Sequence, residues 1–325
     1  MQKRTVLKAL AAAAGVAAFG PVAAQSDWPS KPIRVLVPFA PGNVLDQALR
    51  QVSEEIKKDT GQTILVDNKP GGSGLVAVQA LLQAPPDGHT LLLSNTSMLT
   101  INPYTFSKLP YDPDKSFKHV TGFLGSSLVL AVNTDKVPAT NLKDFIAWAR
   151  GRDVSYASFT AGNSSHFAGV IMNQRTGLNM LHVPFNGTPP AVTNLVGGQV
   201  DAGFLPLLSV KPHVDSGKVR VLAITTPRRS HLLPNVPTFA ESGLPDMTIY
   251  IWSGLSAPAA TPDALVQRIQ SVFAKALRTQ TIIDSWKVTA SEPMPFTVAE
   301  FNDFIRADAR RWQEAVKISG FKASE

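Results

Sequence analysis

The strongest constraint on the fold of this chain is a recurring passage from a short apolar, β-branched run, through a turn, into a segment with one apolar face. Ile33-Arg34-Val35-Leu36-Val37-Pro38-Phe39 turns at Ala40-Pro41-Gly42 into sequence that places Leu45, Ala48, Leu49, Val52 and Ile56 on one side, which reads as strand, loop and helix. Gly61 stops that helix, Thr63-Ile64-Leu65-Val66 begins a second strand, and Pro70-Gly71-Gly72-Ser73-Gly74 leads into a helix carrying Leu75, Val78, Leu81 and Leu82. A third strand over residues 90–93 empties into the polar turn Ser94-Asn95-Thr96-Ser97. Strands separated by helical patterns lie largely parallel, because each parallel connection needs a crossover that covers a sheet face. The chain is therefore of the α/β class.

The middle of the chain repeats this grammar as a second α/β unit. Residues 128–132 read as a strand, Thr140 as the N-cap of a helix through Leu142, Phe145, Ile146 and Ala149, and Gly151 as its stop. Ser155-Tyr156-Ala157-Ser158 is a strand opening into Phe159-Thr160-Ala161-Gly162-Asn163-Ser164-Ser165-His166, with a helix from there to Gln174. Further strands are expected over residues 180–184, 202–205 and 219–225. Two helices close the chain, one started by Thr261 as N-cap with Pro262 at N1, the other by the capping box Thr297-x-x-Glu300. Their stripes, Leu265, Ile269, Val272, Phe273 and Ala276, then Phe301, Phe304, Ile305, Trp312 and Val316, read as core faces. No repeat with a period of 20–50 residues is visible, which removes solenoids and propellers.

Residues 1–24 have a basic start, an apolar run and a small-residue end at Pro21-Val22-Ala23-Ala24, the pattern of a secretory signal peptide. Its removal takes away Lys3, Arg4 and Lys8 with no acid, lowering the formal charge from +7 to +4. With so small an excess and no basic-aromatic patch, nucleic acid is not an expected partner. The absence of cysteine excludes a disulfide scaffold and a lipid-anchored lipoprotein. A soluble periplasmic protein is the expectation.

Little in the sequence points to catalysis. His89, His119, His166, His182, His213 and His231 are scattered without metal-ligand spacing, so neither a metal nor a cofactor is expected. Gly71-Gly72-Ser73-Gly74 lacks the Gly-Lys-Ser/Thr ending of a phosphate loop. Ser164-Ser165-His166 has the ingredients of a hydrolase, but adjacent residues at a helix start diverge and no Gly-x-Ser-x-Gly elbow surrounds them. Residues 162–165 can instead offer backbone N–H groups and hydroxyls to a carboxylate, or merely cap their own helix. Pro41-Gly42-Asn43, Ser94-Asn95-Thr96-Ser97 and Asn186-Gly187-Thr188 repeat the same donor-rich chemistry after other strands. Ligands of open α/β sheets sit outside the carboxyl ends of strands, so these loops favour binding over turnover.

Blocks in order along the chain carry a resemblance. Trp28-Pro29-Ser30-Lys31-Pro32-Ile33-Arg34, Val37-Pro38-Phe39-Ala40-Pro41-Gly42 with Asp46, Asn68-Lys69-Pro70-Gly71-Gly72-Ser73-Gly74, Pro86-Asp87-Gly88-His89-Thr90-Leu91, Asn102-Pro103, Leu109-Pro110-Tyr111-Asp112-Pro113, Ser164-Ser165-His166, His182-Val183-Pro184-Phe185, Gly197-Gly198-Gln199-Val200-Asp201 and Leu233-Pro234-Asn235-Val236-Pro237-Thr238 are similar to the Bug-type (TctC-like) extracytoplasmic receptors of tripartite tricarboxylate transporters. The resemblance implies a type II periplasmic-binding-protein fold, two α/β lobes closing on a small organic carboxylate. The first lobe would comprise residues 25–125 plus 252–325 and the second residues 126–251, with crossovers near 122–127 and 250–255 and the last two helices on the first lobe. It implies a monomer that passes its ligand to a two-component membrane permease; a receptor for a signalling kinase and an exported hydrolase are the alternatives. The implied ligand-binding residues are Pro41, Gly42, Asn43, Asp46, Asn95, Thr96, Ser97, Thr160, Gly162, Asn163, Ser164, Ser165, His166, Asn186 and Leu205.

Two departures from the family pattern bear on the ligand. Asn43-Val44-Leu45 stands where the family has glycines and a Thr, and Phe204-Leu205-Pro206-Leu207 stands where it has a polar pair. Both make the cleft less polar, which argues against an amino acid and for a carboxylate or dicarboxylate with an apolar, aromatic or longer-chain body.

Overall fold

The computed structural model describes residues 28–322; the expected leader over residues 1–24 lies outside them. Each strand–loop–helix passage forms. Strands β1 (Ile33–Val37), β2 (Ile64–Asn68) and β3 (Thr90–Asn95) alternate with helices α1 (Val44–Thr60) and α2 (Leu75–Leu82). β1 lies between the other two and parallel to both, with Ile33 opposite Ile64 and Val35 opposite Leu91. Buried Val35, Leu49, Val52, Ile56 and Leu91 share one core, so the apolar face read from the sequence is the face that packs.

The sheet continues through a single strand of 17 residues, β4 (Phe117–Asn133), of which only the last third was expected. Its first half pairs antiparallel with β9 (Tyr250–Pro258), which in turn pairs with β3; Gly125 faces Trp252, and Leu93 faces Leu255. Its second half pairs with β7 (Ala202–Pro206) and β8 (Val219–Ile224), Leu130 facing Phe204. β7 then leads by parallel pairing to β5 (Ser155–Ser158) and β6 (Leu181–Pro184). One strand therefore belongs to two sheets, each the floor of an α/β lobe. Helices α3 (Leu142–Ala149), α4 (Ser164–Thr176), α5 (Thr188–Val196) and α6 (Leu207–Asp215) cover the second sheet.

The chain closes with α7 (Asp263–Leu277), α8 (Gln280–Val288), the short strand β10 (Ser291–Pro293) and α9 (Val298–Ser319). The capping box at α9 is present. Two expected caps are displaced by one residue. Asn141, not Thr140, accepts the N–H of Asp144 at the start of α3, and α7 begins after Pro262 with the Thr261 hydroxyl buried and unpaired. Proline has no N–H and its fixed φ suits the position just before a helix, so the start follows it.

α9 was expected on the first lobe, yet it serves both. Phe301 and Ile305 join Leu36, Leu92 and Trp252 in one core, whereas Trp312, Ala315 and Val316 join Leu130, Phe145, Tyr156 and Phe204 in another. Its close approach to β9 requires glycine at Gly254, where a Cβ would fall 2.1 Å from the Phe301 ring. Between the two apolar stretches sits Asp308, buried, accepting hydrogen bonds from the indole N–H groups of Trp252 (2.8 Å) and Trp312 (2.9 Å), the Thr100 hydroxyl (3.0 Å) and Arg311 (3.1 Å). Burial drives its carboxyl above the usual range, and these donors only partly offset that.

Replacing Asp308 by Leu orphans the buried indole N–H groups of Trp252 and Trp312 and leaves the Thr100 hydroxyl only its bond to the Thr96 carbonyl. The expected loss is about 3–5 kcal/mol of stability, read as a lower urea midpoint; an unchanged midpoint refutes Asp308 as the tie among β9, α9 and the Thr100 turn.

Candidate functional site

Between the two sheets lies a cleft of about 1040 Å³. Its walls carry the ends of β1, β3, β5 and β7, and its floor is Ser126, Ser127, Ile251 and Trp252 where β4 and β9 pass beneath. Among the described residues no charged side chain lines it. The polar wall consists of hydroxyls, amides and helix starts; the apolar wall includes Phe39, Val44, Leu45, Phe106, Phe159, Leu207, Leu208 and Phe321.

Two loops facing this space follow one design. Phe39-x-x-Gly42-Asn43-x-x-Asp46 and Phe159-x-x-Gly162-Asn163-x-x-His166 have the same spacing, each between a parallel strand and a long helix. Gly42 (φ 82°) and Gly162 (φ 74°) take the left-handed turn that side chains resist. Asn43 Oδ1 then accepts the N–H groups of Leu45 (2.8 Å) and Asp46 (3.2 Å). Asn163 Oδ1 accepts those of Ser165 (3.0 Å) and His166 (3.1 Å). The turn glycine donates its own N–H inward in both, Gly42 to Asp46 at 3.0 Å and Gly162 to His166 Nδ1 at 3.1 Å. This duplication is what sequence reading missed: its offset is far longer than a solenoid period, and the last position changes from acid to imidazole.

The two supports differ electrically. Burial alone would raise the Asp46 carboxyl, but Arg50, the Gly42 N–H and the Asn68 amide outweigh it and hold it below the usual carboxylate range. An anion is thus fixed beneath the first loop. Beneath the second, His166 stacks on His182 with centroids 3.7 Å apart and planes 10° from parallel, and His182 Nε2 lies 2.6 Å from the Ser158 hydroxyl. Burial pushes the imidazoles down to about 3 for His166, further lowered by His182, and about 4 for His182. Both rings are neutral at physiological pH. Phe321 closes edge-on over His166, and a Cβ on Gly162 would strike its ring at 2.7 Å.

The structure brings Asn43, Asn95, Thr96, Ser97, Thr160, Gly162, Asn163 and Ser164 to the cleft. Pro41, Gly42, Asp46, Ser165, His166, Asn186 and Leu205 stand off its lining. Pro41 and Gly42 lie on the outer side of the turn, exposed. Asp46 and His166 brace the two loops from behind. Ser165 is fully buried and donates to the Phe204 carbonyl at 2.5 Å, so its proton is committed away from His166. Asn186 is exposed beyond the cleft, where Thr188 takes the wall position. Leu205 points into the core with Val129 and Ala157, because side chains alternate along β7, and Pro206 and Leu207 line the cleft instead. Ser127, Trp252 and Phe321 were not expected; they come from remote strands and the chain end, beyond the reach of local pattern.

Comparison with known proteins agrees with this architecture. Residues 48–321 match the family model described as tripartite tricarboxylate transporter family receptor, TctC. The chain is 30% identical over 314 residues to Protein BugT of Bordetella pertussis, covering 96% of this chain and 95% of that one. A solved periplasmic transporter is 36% identical with a TM-score of 0.76, over 91% of this chain and 99% of that one. An R. palustris protein solved with adipate is 26% identical with a TM-score of 0.77, again over 91% and 99%.

The stacked imidazoles make stability pH-dependent. Unfolded, both take up protons near 6.5; folded, they do so only at about 4 and about 3. Stability is therefore complete above pH 6.5 and falls as pH drops through that window. Urea midpoints measured from pH 7 to 4.5 are expected to decline in the wild type and to decline less in His182→Phe; equal slopes overturn the assignment.

Proposed function

Because the chain belongs to the tripartite tricarboxylate transporter receptor family, with its type II periplasmic-binding-protein fold, we propose that it works in the periplasm, capturing a small organic carboxylate and handing it to a two-component membrane permease. The observation that carries this reading is the cleft between two sheets, lined by hydroxyls and helix starts and lacking, among the described residues, any charged side chain. Such donors suit a carboxylate, whose oxygens accept N–H and O–H groups while the positive ends of α1 and α4 face the same space. Water bridging between oxygen and backbone is energetically close to a direct bond and suits a cleft this large.

The arrangement does not suit hydrolysis. Nucleophilic serine needs an adjacent base to take its proton and a cleft to meet substrate, whereas Ser165 gives its proton to a carbonyl, His166 Nδ1 accepts a backbone N–H, and Ser158, which does lie beside an imidazole at His182, is fully buried and off the cleft lining. Ligand capture instead follows from the shared strand. Bending of β4 and β9 between the sheets brings the two loops together over the ligand and excludes water. The leader over residues 1–24 supports export, and cell fractionation with and without it tests the location.

A thermal-shift panel of mono-, di- and tricarboxylates, with amino acids and sugars as controls, tests capture directly. At least one carboxylate is expected to raise the melting temperature in a concentration-dependent manner, as binding to the folded state alone requires. A panel in which only sugars or amino acids do so overturns the reading.

A further inference from the structure

The two matched loops differ in what covers their turn glycine. We infer that Phe321, on the chain end just past α9, sets how far a carboxylate ligand can extend toward the second lobe, by closing that end of the cleft over Gly162 and His166. The inference rests on the reading that the cleft captures a carboxylate, and it adds the residue that limits the ligand's size.

The first-lobe loop is open at its turn: a Cβ built on Gly42 would meet nothing within 4 Å among the described residues. At the matching Gly162 a Cβ would fall 2.7 Å from two carbons of the Phe321 ring. Gly162 and Phe321 both line the cleft, whereas His166 and Phe167 do not. The ring accounts for that division. It stands edge-on to His166 and Phe167, with centroids 5.5 and 5.9 Å away, so it meets the cleft on one side and these two rings on the other.

The chain end is held as a wall. Gly320 takes the left-handed turn (φ 63°) that ends α9, and the Ser319 hydroxyl then accepts the Phe321 N–H at 3.1 Å while donating to the Val316 carbonyl at 2.8 Å. Edge-to-face contacts on two rings fix the orientation of the third. Behind it, α9 is seated in one core by Phe301 and Ile305 and in the other by Trp312 and Val316. A ligand chain that points toward the second-lobe loop therefore meets an aromatic stop anchored in both cores. Truncating Phe321 removes the stop and leaves the donors of Thr160, Asn163 and Ser164 on the lining. The space gained opens onto Gly162, Phe167 and the uncharged imidazole of His166, surfaces that suit methylenes.

Isothermal titration with two series of linear acids, butanoate to decanoate and succinate to sebacate, tests this in wild type, Phe321→Ala and Phe321→Leu. In at least one series wild-type affinity is expected to fall beyond a definite chain length. Phe321→Ala is expected to move that limit to longer acids, the first acid beyond it gaining about tenfold, which burying about two further methylenes supplies. Phe321→Leu refills part of the space and is expected to fall between; it carries the test if circular dichroism shows the alanine variant unfolded. A ring that merely steadied α9 would weaken every acid alike. Wild-type affinity without a length limit, variant profiles parallel to or identical with that of the wild type, or binding confined to acids outside both series overturns this inference while leaving carboxylate capture standing. Absence of binding by every acid of these series and of the wider panel overturns both.

Discussion

The structure depends on β4, a strand of 17 residues hydrogen-bonded into two different sheets. A buried strand must satisfy its N–H and C=O groups along its whole length. β4 does so with β9 and β10 at one end and β7 and β8 at the other. The two lobes are therefore parts of one ladder, and their separation is set where its partners change, beside Ser127 and Leu128. The cleft is the space left above that change. α9 and Asp308 reinforce it from the other side, through a carboxylate that gathers donors from Trp252, Trp312 and Thr100.

On this frame the chain mounts the same loop twice. The left-handed glycine, the capping asparagine and the inward glycine N–H are identical in the two copies, so backbone geometry alone does not distinguish the lobes. Chemistry does. Asp46 stands under one copy and neutral His166 under the other, and Val44 begins the helix of one where Ser164 begins that of the other. In a cleft with no charged side chain among its described lining residues, charges just behind the walls and single hydroxyls carry more weight than they would in water, because the local dielectric is lower.

Family membership and apolar character fit together. A cleft that offers an anion only neutral donors can change ligand by altering its walls, since no counter-ion has to be moved. Val44-Leu45 and Pro206-Leu207-Leu208 are apolar stretches of those walls. Beside the first of them the capping bonds of Asn43 hold the loop. Arg175 and Lys211, the cations nearest in sequence to the second-lobe elements at the cleft, are engaged with Asp246 and Asp215 and stand outside it.

Local structure was legible from sequence, because its causes act within a few residues. The alternation of strand and helix, the start of α1 after Pro41-Gly42, the start of α4 near residues 162–165 and the capping box at Thr297 all arise from contacts no more than about one helical turn apart. The cap of α3 slipped from Thr140 to Asn141, as neighbouring residues able to cap compete closely, and α7 starts one residue late because it follows Pro262. What only the tertiary structure decided is which of these groups meet. Ser127 and Ser164, from different elements, come to line one cleft because β4 pairs with both sheets. Leu205 turns inward because of the sheet's pleat, and Phe321 reaches the cleft because α9 spans two cores. The sequence by itself determined that donor-rich loops follow the strands; long-range pairing determined which donors remain free, since a local pattern does not show which partner will already occupy a hydrogen-bonding group.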